Sequence, residues 1–234
     1  MKALIELAVA MAAGVAMAVA AGCRVVPGGD CAPGPRCSWV RGHFQIHQIY
    51  TGKCESYFMI FPDGTTMLLD CGESNPHKME VEKWGDRSLP ILPDEERGSG
   101  EWIVRYVERV NPNGRDVDYM MLTHYHDDHG GNNEWGAGVI DWKGEKIMNG
   151  GFVQAAQRLR FGKALDRCYP TYDQPVPTER SSTTPSTMAH VRKTYRYLSE
   201  RDGTRIERFK VGATDQIVML RDPKSHPGFT VTNV

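Results

Sequence analysis

A cluster of three histidines and two aspartates constrains this chain more than any other sequence feature, because it directly follows a buried-strand pattern. The run from Val117 to Thr123 (VDYMMLT) is largely apolar, which predicts a strand buried on both faces. That strand leads straight into THYHDDHGG, which ends at Gly131. In open α/β sheets, ligands bind at the carboxyl ends of the strands. The sequence therefore predicts a functional site immediately after this strand.

The cluster has the spacing H-x-H-x-D-H, formed by His124, His126, Asp128 and His129. Histidine nitrogens are the commonest zinc ligands, and a carboxylate among them favours a catalytic over a structural site. Alternate residues of an extended turn point the same way, so His124 and His126 can bind one ion while Asp128 and His129 turn toward a second. The alternatives are a solvated histidine-rich loop and a helix cap at Asp127 or Asp128, which leave three histidines after a buried strand poorly explained.

The preceding segment predicts a run of strands and then a helix. Alternating apolar residues with aromatic and β-branched side chains predict strands at His43–Tyr50, Ser56–Phe61 and Thr65–Asp70, with a tight turn at Pro62–Gly64. A polar stretch, 72–100, predicts a long loop or insertion. A stripe of apolar residues at helical spacing then predicts a helix over Glu101–Val110.

The segment after the motif gives weaker patterns. We expect one helix at Val153–Phe161 and a second at Thr187–Glu200, with strands at 205–211 and 216–222. Between the two helices lies a patch rich in Pro, Ser and Thr, from Pro175 to Pro185. We therefore expect residues 132–186 to form insertions over a site rather than part of a compact core.

The motif and the upstream segment YTGKCESYFMIFPDGTTMLLDCGE, Tyr50–Glu73, resemble the metallo-β-lactamase superfamily, in particular the extracellular domain of ComEC/Rec2-type competence proteins. The resemblance implies an α/β (α+β sandwich) architecture of the αββα type over residues 42–234. It also implies that His124 and His126 bind the first of two zinc ions and that Asp128 and His129 bind the second. Asp128 and Asp70 become the candidate catalytic residues, with Asp70 orienting the metal ligands from the end of its strand.

The same resemblance favours hydrolysis over redox chemistry. Family members that hold a di-iron centre carry glutamate where this chain has His126. The resemblance therefore implies a zinc-dependent hydrolase, in which the metal lowers the pKa of a bound water to about 7 and supplies hydroxide. The sequence has no G-x-S-x-G motif and no Cys/His pair at an informative spacing, so no covalent nucleophile is indicated.

Three expected ligands lack a counterpart in the sequence. The family supplies a third histidine, a bridging aspartate and a final histidine, and only His190 and His226 follow the motif. We expect His190 to be a surface residue of a helix, we treat His226 as a candidate ligand, and Asp222 lacks the usual preceding glycine. Either the domain is incomplete at its C-terminus or the chain is a degenerate member; the abrupt end at Val234 favours the first. We expect weak zinc affinity and little activity from this chain alone.

The N-terminus predicts export. Lys2 precedes a small, apolar run that ends in AAGC at Cys23, which resembles the lipobox of bacterial lipoproteins. We expect a signal peptide at 1–22, lipidation of Cys23, a flexible tether at 23–41, and a membrane-anchored location in a bacterial envelope. The alternative is an uncleaved anchor helix. Five of the six cysteines would remain after lipidation, and an odd number cannot all pair within the chain.

Composition restricts the substrate only weakly. A net charge of -1 gives no global field that would attract nucleic acid or an anionic membrane surface, so an anionic substrate has to be held locally, by metal. We expect a small-molecule or phosphodiester substrate and predict no protein partner. A β-lactamase or lactonase is the alternative enzyme, and a non-catalytic or degenerate surface lipoprotein that keeps the fold as a binding module is the alternative from another class.

Overall fold

The structure is a computed structural model, and it describes residues 39–52, 55–72, 82, 90–131, 138–172 and 185–234, all within the compact unit Cys37–Val234. Several predictions fall outside these residues. They are the signal peptide, lipidation at Cys23, nearly all of the tether, most of the predicted long loop and most of the patch rich in Pro, Ser and Thr. Cys31, Cys37 and Cys54 lie outside them as well.

A six-stranded mixed sheet organises the described part of the chain. The strands are β1 (Gln45–Tyr50), β2 (Glu55–Ile60), β3 (Thr66–Leu69), β4 (Asp116–Met121), β5 (Val139–Trp142), β6 (Glu145–Met148), β7 (Arg160–Asp166) and β8 (Arg205–Arg208). The order in the sheet is β1-β2-β3-β4-β7-β8, and a separate hairpin pairs β5 with β6. The first three strands are antiparallel neighbours, whereas β3, β4, β7 and β8 run parallel to one another.

Helices cover one face of this sheet. The described residues contain α1 (Ser99–Val110), α2 (Asp127–Gly130), α3 (Gly151–Ala156) and α4 (Pro185–Asp202). In α1 the predicted apolar stripe is buried, because Ile103, Val104 and Val107 are inaccessible to solvent in the main core. The mixed α/β architecture, the opening strands, α1, β4 and the second predicted helix are thereby confirmed.

The opposite face of the sheet is covered by the C-terminal segment. Ile217 and Met219 pack there against Phe61 and Tyr119. The strand predicted at 216–222 is wrong, since this segment pairs with no strand in the described structure. Burial does alternate from Ile217 to Leu220, where Ile217 and Met219 are buried and the two residues between and after them are exposed. The backbone of Val218, however, hydrogen-bonds to the Tyr119 hydroxyl instead of to a neighbouring strand.

Two predictions about the middle of the chain are also wrong. The helix predicted to run to Phe161 ends at Ala156, and Phe161 instead lies in β7, paired with Val117 of β4. The prediction that residues 132–186 form insertions outside the compact core is wrong for the described residues 138–172. Phe152, Leu159 and Phe161 are buried in the main core. A short apolar run fits either a helix or a strand, and here pairing with β4 decides between them.

Among the described residues, no helix has both the length and the apolar character needed to cross a membrane.

Candidate metal centre

The histidine motif lies where the sequence predicts, at the carboxyl end of β4. The chain leaves the strand after Met121, bends through 123–125 and enters the short helix α2 at Asp127. Because β3 and β4 are parallel, their carboxyl ends meet at one edge of the sheet. Asp70, directly after β3, is thereby brought beside the motif.

Three imidazole rings converge at this edge. The ring centroid of His124 lies 4.6 Å from that of His126 and 3.9 Å from that of His129. His124 Nε2 and His126 Nδ1 are 3.0 Å apart, within hydrogen-bond distance. Two nitrogens bound tetrahedrally to one zinc, each at about 2.05 Å, are separated by about 3.3 Å. These two histidines therefore have nearly the nitrogen separation that a shared zinc ion requires.

The remaining donors do not complete such a site. Among the described residues, no group of three or more His, Cys, Asp or Glu side chains is arranged to hold a metal ion. His129 is turned toward Asp70, and the Asp128 side chain is partly exposed. The structure thus brings the three predicted histidines together, with two of their nitrogens at a separation close to that of zinc ligands.

Asp70 fixes the motif from the neighbouring strand. Its buried carboxylate accepts hydrogen bonds from the Thr123 amide at 2.8 Å, from Thr123 Oγ1 at 2.7 Å and from His129 Nδ1 at 2.8 Å. Asp70 also has a left-handed φ of 56°, which turns the chain sharply after β3. A carboxylate on Nδ1 leaves Nε2 of His129 as the nitrogen for a metal. These contacts make Asp70 a positioning residue.

The local electrostatics favour neutral imidazole at His124. Burial lowers the pKa of His124, and positive charge on His129 and His126 would lower it further, against the opposing effect of Asp70 and Asp128. The neutral form is the one that binds a metal ion.

Glycines permit the tight packing around α2. The backbone of Asp128 presses on Gly72: a Cβ on that glycine would lie 1.6 Å from the Asp128 carbonyl oxygen. Gly131 has φ +72°, and a Cβ there would lie 2.3 Å from the Gly151 backbone. The amide of Cys71 donates to the carbonyl of His129 at 3.0 Å in the same junction. The chain after β3 and the start of α2 therefore touch backbone to backbone.

This contact predicts the effect of Gly72→Ala. The added methyl group has to displace the α2 backbone, so we expect a loss of about 2 kcal/mol in the free energy of unfolding, measured by urea denaturation. Gly228→Ala is the matched control, since no described atom lies within 4 Å of its Cβ position. Equal effects of the two substitutions would contradict the packing argument.

His190 is buried, so the prediction of a surface residue is wrong. It lies on the face of α4 that also carries Thr194 and Leu198, four and eight residues later, and this spacing could have indicated burial. Burial, with the positive charge of Lys193 as a smaller cause, lowers the pKa of His190 to about 4. A cavity of about 10 Å³ is lined by both His190 and His126.

The other two residues considered as ligands lie at the far end of β3. His226 packs against Gly42, whose amide donates to the carbonyl of Pro62 in the hairpin turn. The amide of Asp222 donates to Asp63 in that turn. The turn precedes β3 and the motif adjoins its carboxyl end, so neither residue reaches the three histidines.

A buried acid that the sequence patterns did not predict lies beside the motif. Asp166 ends β7, the parallel neighbour of β4, and is fully buried. Its carboxylate accepts the Tyr125 hydroxyl at 2.9 and 3.0 Å and the amides of Cys168 and Tyr169 at 2.8 and 2.7 Å. Burial raises the pKa of Asp166. The available signal was the sequence ALD, an aspartate that ends an apolar run as Asp70 does in TMLLD.

Comparison with known proteins gives one family match. The model of the metallo-beta-lactamase superfamily matches residues 50–185, more than half of the chain. No curated protein matched the sequence. Members of this superfamily are mostly hydrolytic enzymes and commonly bind zinc. The matched range spans β1's last residue through the first residue of α4, and includes the whole histidine motif. The chain belongs to the metallo-beta-lactamase superfamily.

Proposed function

We propose that this chain is a zinc-dependent hydrolase that acts on phosphodiesters at the histidine cluster. The observation that carries the proposal is the approach of His124 Nε2 to His126 Nδ1, at 3.0 Å, on the carboxyl edge of the sheet. Family membership supports a metal-dependent hydrolase in general. The similarity of the opening hairpin to the ComEC/Rec2-type domain supports the narrower choice of a phosphodiester.

Each residue of the motif has a role that follows from its position. His124 and His126 would hold one zinc, and Asp128 with Nε2 of His129 would contribute to a second. A bound zinc supplies a Lewis acid and lowers the pKa of a water to about 7. Asp70 keeps His129 in one tautomer and anchors Thr123, so the turn keeps its shape while substrate binds.

Metal binding is the first test. Cobalt(II) added to the metal-free 234-residue chain should produce the visible absorption of a tetrahedral nitrogen site, with weak affinity because few donors are pre-arranged. His124→Ala should abolish the signal. His43→Ala, which removes an exposed histidine outside the cluster, should leave it unchanged. Absence of the signal from the unsubstituted chain would contradict the proposal and favour a metal-free binding module.

Substrate choice is tested on the zinc-loaded chain. We expect slow, zinc-dependent hydrolysis of bis(4-nitrophenyl) phosphate, lost on chelation and in His124→Ala, and no opening of the β-lactam nitrocefin. Nitrocefin hydrolysis without phosphodiester hydrolysis would instead identify a β-lactamase. Turnover as fast as that of a complete dinuclear enzyme would refute the expectation of weak activity.

A further inference from the structure

A cleft of about 600 Å³ opens between α4 and the turn that follows β7. Its walls include Tyr169, Tyr172, Arg192, Tyr195 and Arg196, together with one carboxylate, Glu200, which is paired with Lys143. Ligand pockets in proteins commonly have volumes of about 300–1,000 Å³, with a few polar groups that fix the ligand's orientation. The cleft therefore has the size and the mixed aromatic and charged lining of a binding site.

Two structural connections link this cleft to the histidine cluster. Tyr195 lines both the cleft and the small cavity whose wall includes His126. Asp166 binds the hydroxyl of Tyr125, which lies between two of the motif histidines, and the amide of Tyr169 in the cleft wall. Since β7 is the parallel neighbour of β4, the cleft and the motif share one edge of the sheet.

Arg192 is an exposed cation in the wall of the cleft. Its guanidinium stacks over the ring of Tyr172 at 4.5 Å and approaches the Thr171 carbonyl at 3.5 Å. Within the described residues it forms no ion pair with a carboxylate, whereas Arg196 pairs with Glu145. Stacking on a buried ring restrains the side chain before a ligand arrives.

The turn that carries Tyr172 is itself held rigidly. The guanidinium of Arg208 donates to the Tyr169 carbonyl at 2.5 Å, to the Cys168 carbonyl at 3.2 Å and to Thr171 Oγ1 at 3.0 Å. The platform beneath Arg192 is thus fixed by contacts from β8. A guanidinium presented on a rigid support suits the planar, two-point recognition of a phosphate.

We propose that this cleft binds a phosphate of the substrate strand that flanks the scissile phosphodiester, with Arg192 as its main contact. The inference rests on the proposed function for the substrate class. It adds a specificity site outside the metal motif, and it explains how a chain of net charge -1 holds an anionic strand locally.

Binding is measured without hydrolysis, so that the two proposals are tested separately. The full chain, stripped of metal with a chelator, is titrated into a fluorescein-labelled thymidine oligonucleotide, and anisotropy gives the Kd. We expect Arg192→Gln to raise the Kd about tenfold and to lower the slope of log Kd against log salt by about one. Arg192→Lys should restore part of the salt slope because it retains the charge.

Arg105→Gln is the matched control. Arg105 is a helix arginine, 40% exposed, that also stacks on an aromatic ring, but it is paired with Glu101 on α1. It should leave the Kd unchanged, and circular dichroism should show that each variant is folded. Equal binding by the original chain and Arg192→Gln, or no binding by either, would overturn the cleft assignment.

Two further outcomes separate the proposals. Binding that depends on Arg192, without phosphodiester hydrolysis by the zinc-loaded chain, supports the cleft and contradicts the proposed activity. Hydrolysis of bis(4-nitrophenyl) phosphate without Arg192-dependent binding does the reverse. Displacement of the oligonucleotide by inorganic phosphate at the concentration needed for unlabelled oligonucleotide would identify a free-phosphate site and overturn the strand assignment.

Discussion

Asp70→Ala should lower zinc affinity by about 10- to 100-fold, measured by competition with a chromophoric chelator. The carboxylate binds His129 Nδ1 and both the amide and the hydroxyl of Thr123, the residue before the first motif histidine. Without it, the His129 ring can rotate and change tautomer, and the turn after β4 loses its anchor. Metal binding would then have to order the His129 ring and the turn, and the conformational entropy lost in that ordering would weaken the affinity.

Asp63→Ala provides a matched control for this change. Asp63 is buried at the other end of β3, where it accepts hydrogen bonds from Thr65 and from the amides of Arg221 and Asp222. Both alanine variants should unfold at lower urea concentrations than the original chain. Only Asp70→Ala should lose zinc affinity, and a similar loss in Asp63→Ala would show that affinity follows overall stability.

Asp166→Ala should lower the free energy of unfolding by about 3 kcal/mol, because it leaves three donors without their acceptor, two of them buried. These are the Tyr125 hydroxyl and the amides of Cys168 and Tyr169. Asp166→Asn keeps an acceptor for the amides and can donate to the Tyr125 oxygen, so it should cost far less. Urea denaturation of both variants measures the difference, and equal losses would contradict the hydrogen-bond argument.

The difference in stability between Asp166→Asn and the original chain should depend on pH. Burial raises the pKa of Asp166 in the folded chain above its ordinary value of 3.8, so folding favours the protonated acid. The stability that this acid contributes is complete below that ordinary value and is lost as pH rises through the folded-state pKa. Asp166→Asn has no such titration. Its stability relative to the original chain should therefore increase as pH rises from about 4 toward neutrality.

The part of the fold that sequence patterns could predict is the part made by local signals. The turn Pro62–Gly64 sets the hairpin between β2 and β3, and the apolar stripe of α1 needs only one face to be buried. The histidine motif could be located for a similar reason. Its residues are neighbours in sequence, and the apolar run before it is enough to predict a buried strand.

The missed features depend on contacts between distant residues. Asp166 has a role only because β7 pairs with β4, and Phe161 belongs to a strand for the same reason. The segment around Ile217 has the alternation of a strand, yet it packs on the face of the sheet instead of pairing at its edge. A one-dimensional pattern records which residues are buried and does not record what they are buried against.

The parallel arrangement of β3, β4 and β7 has a consequence for the time course of folding. The hydrogen bonds that hold the motif join residues far apart in sequence: Asp70 to His129 spans 59 positions, and Tyr125 to Asp166 spans 41. Loops of this length must close before either carboxylate reaches the motif, and such topologies fold slowly. We therefore expect the histidines to acquire their fixed orientation only after β3, β4 and β7 have paired, because both carboxylates reach the motif through that pairing.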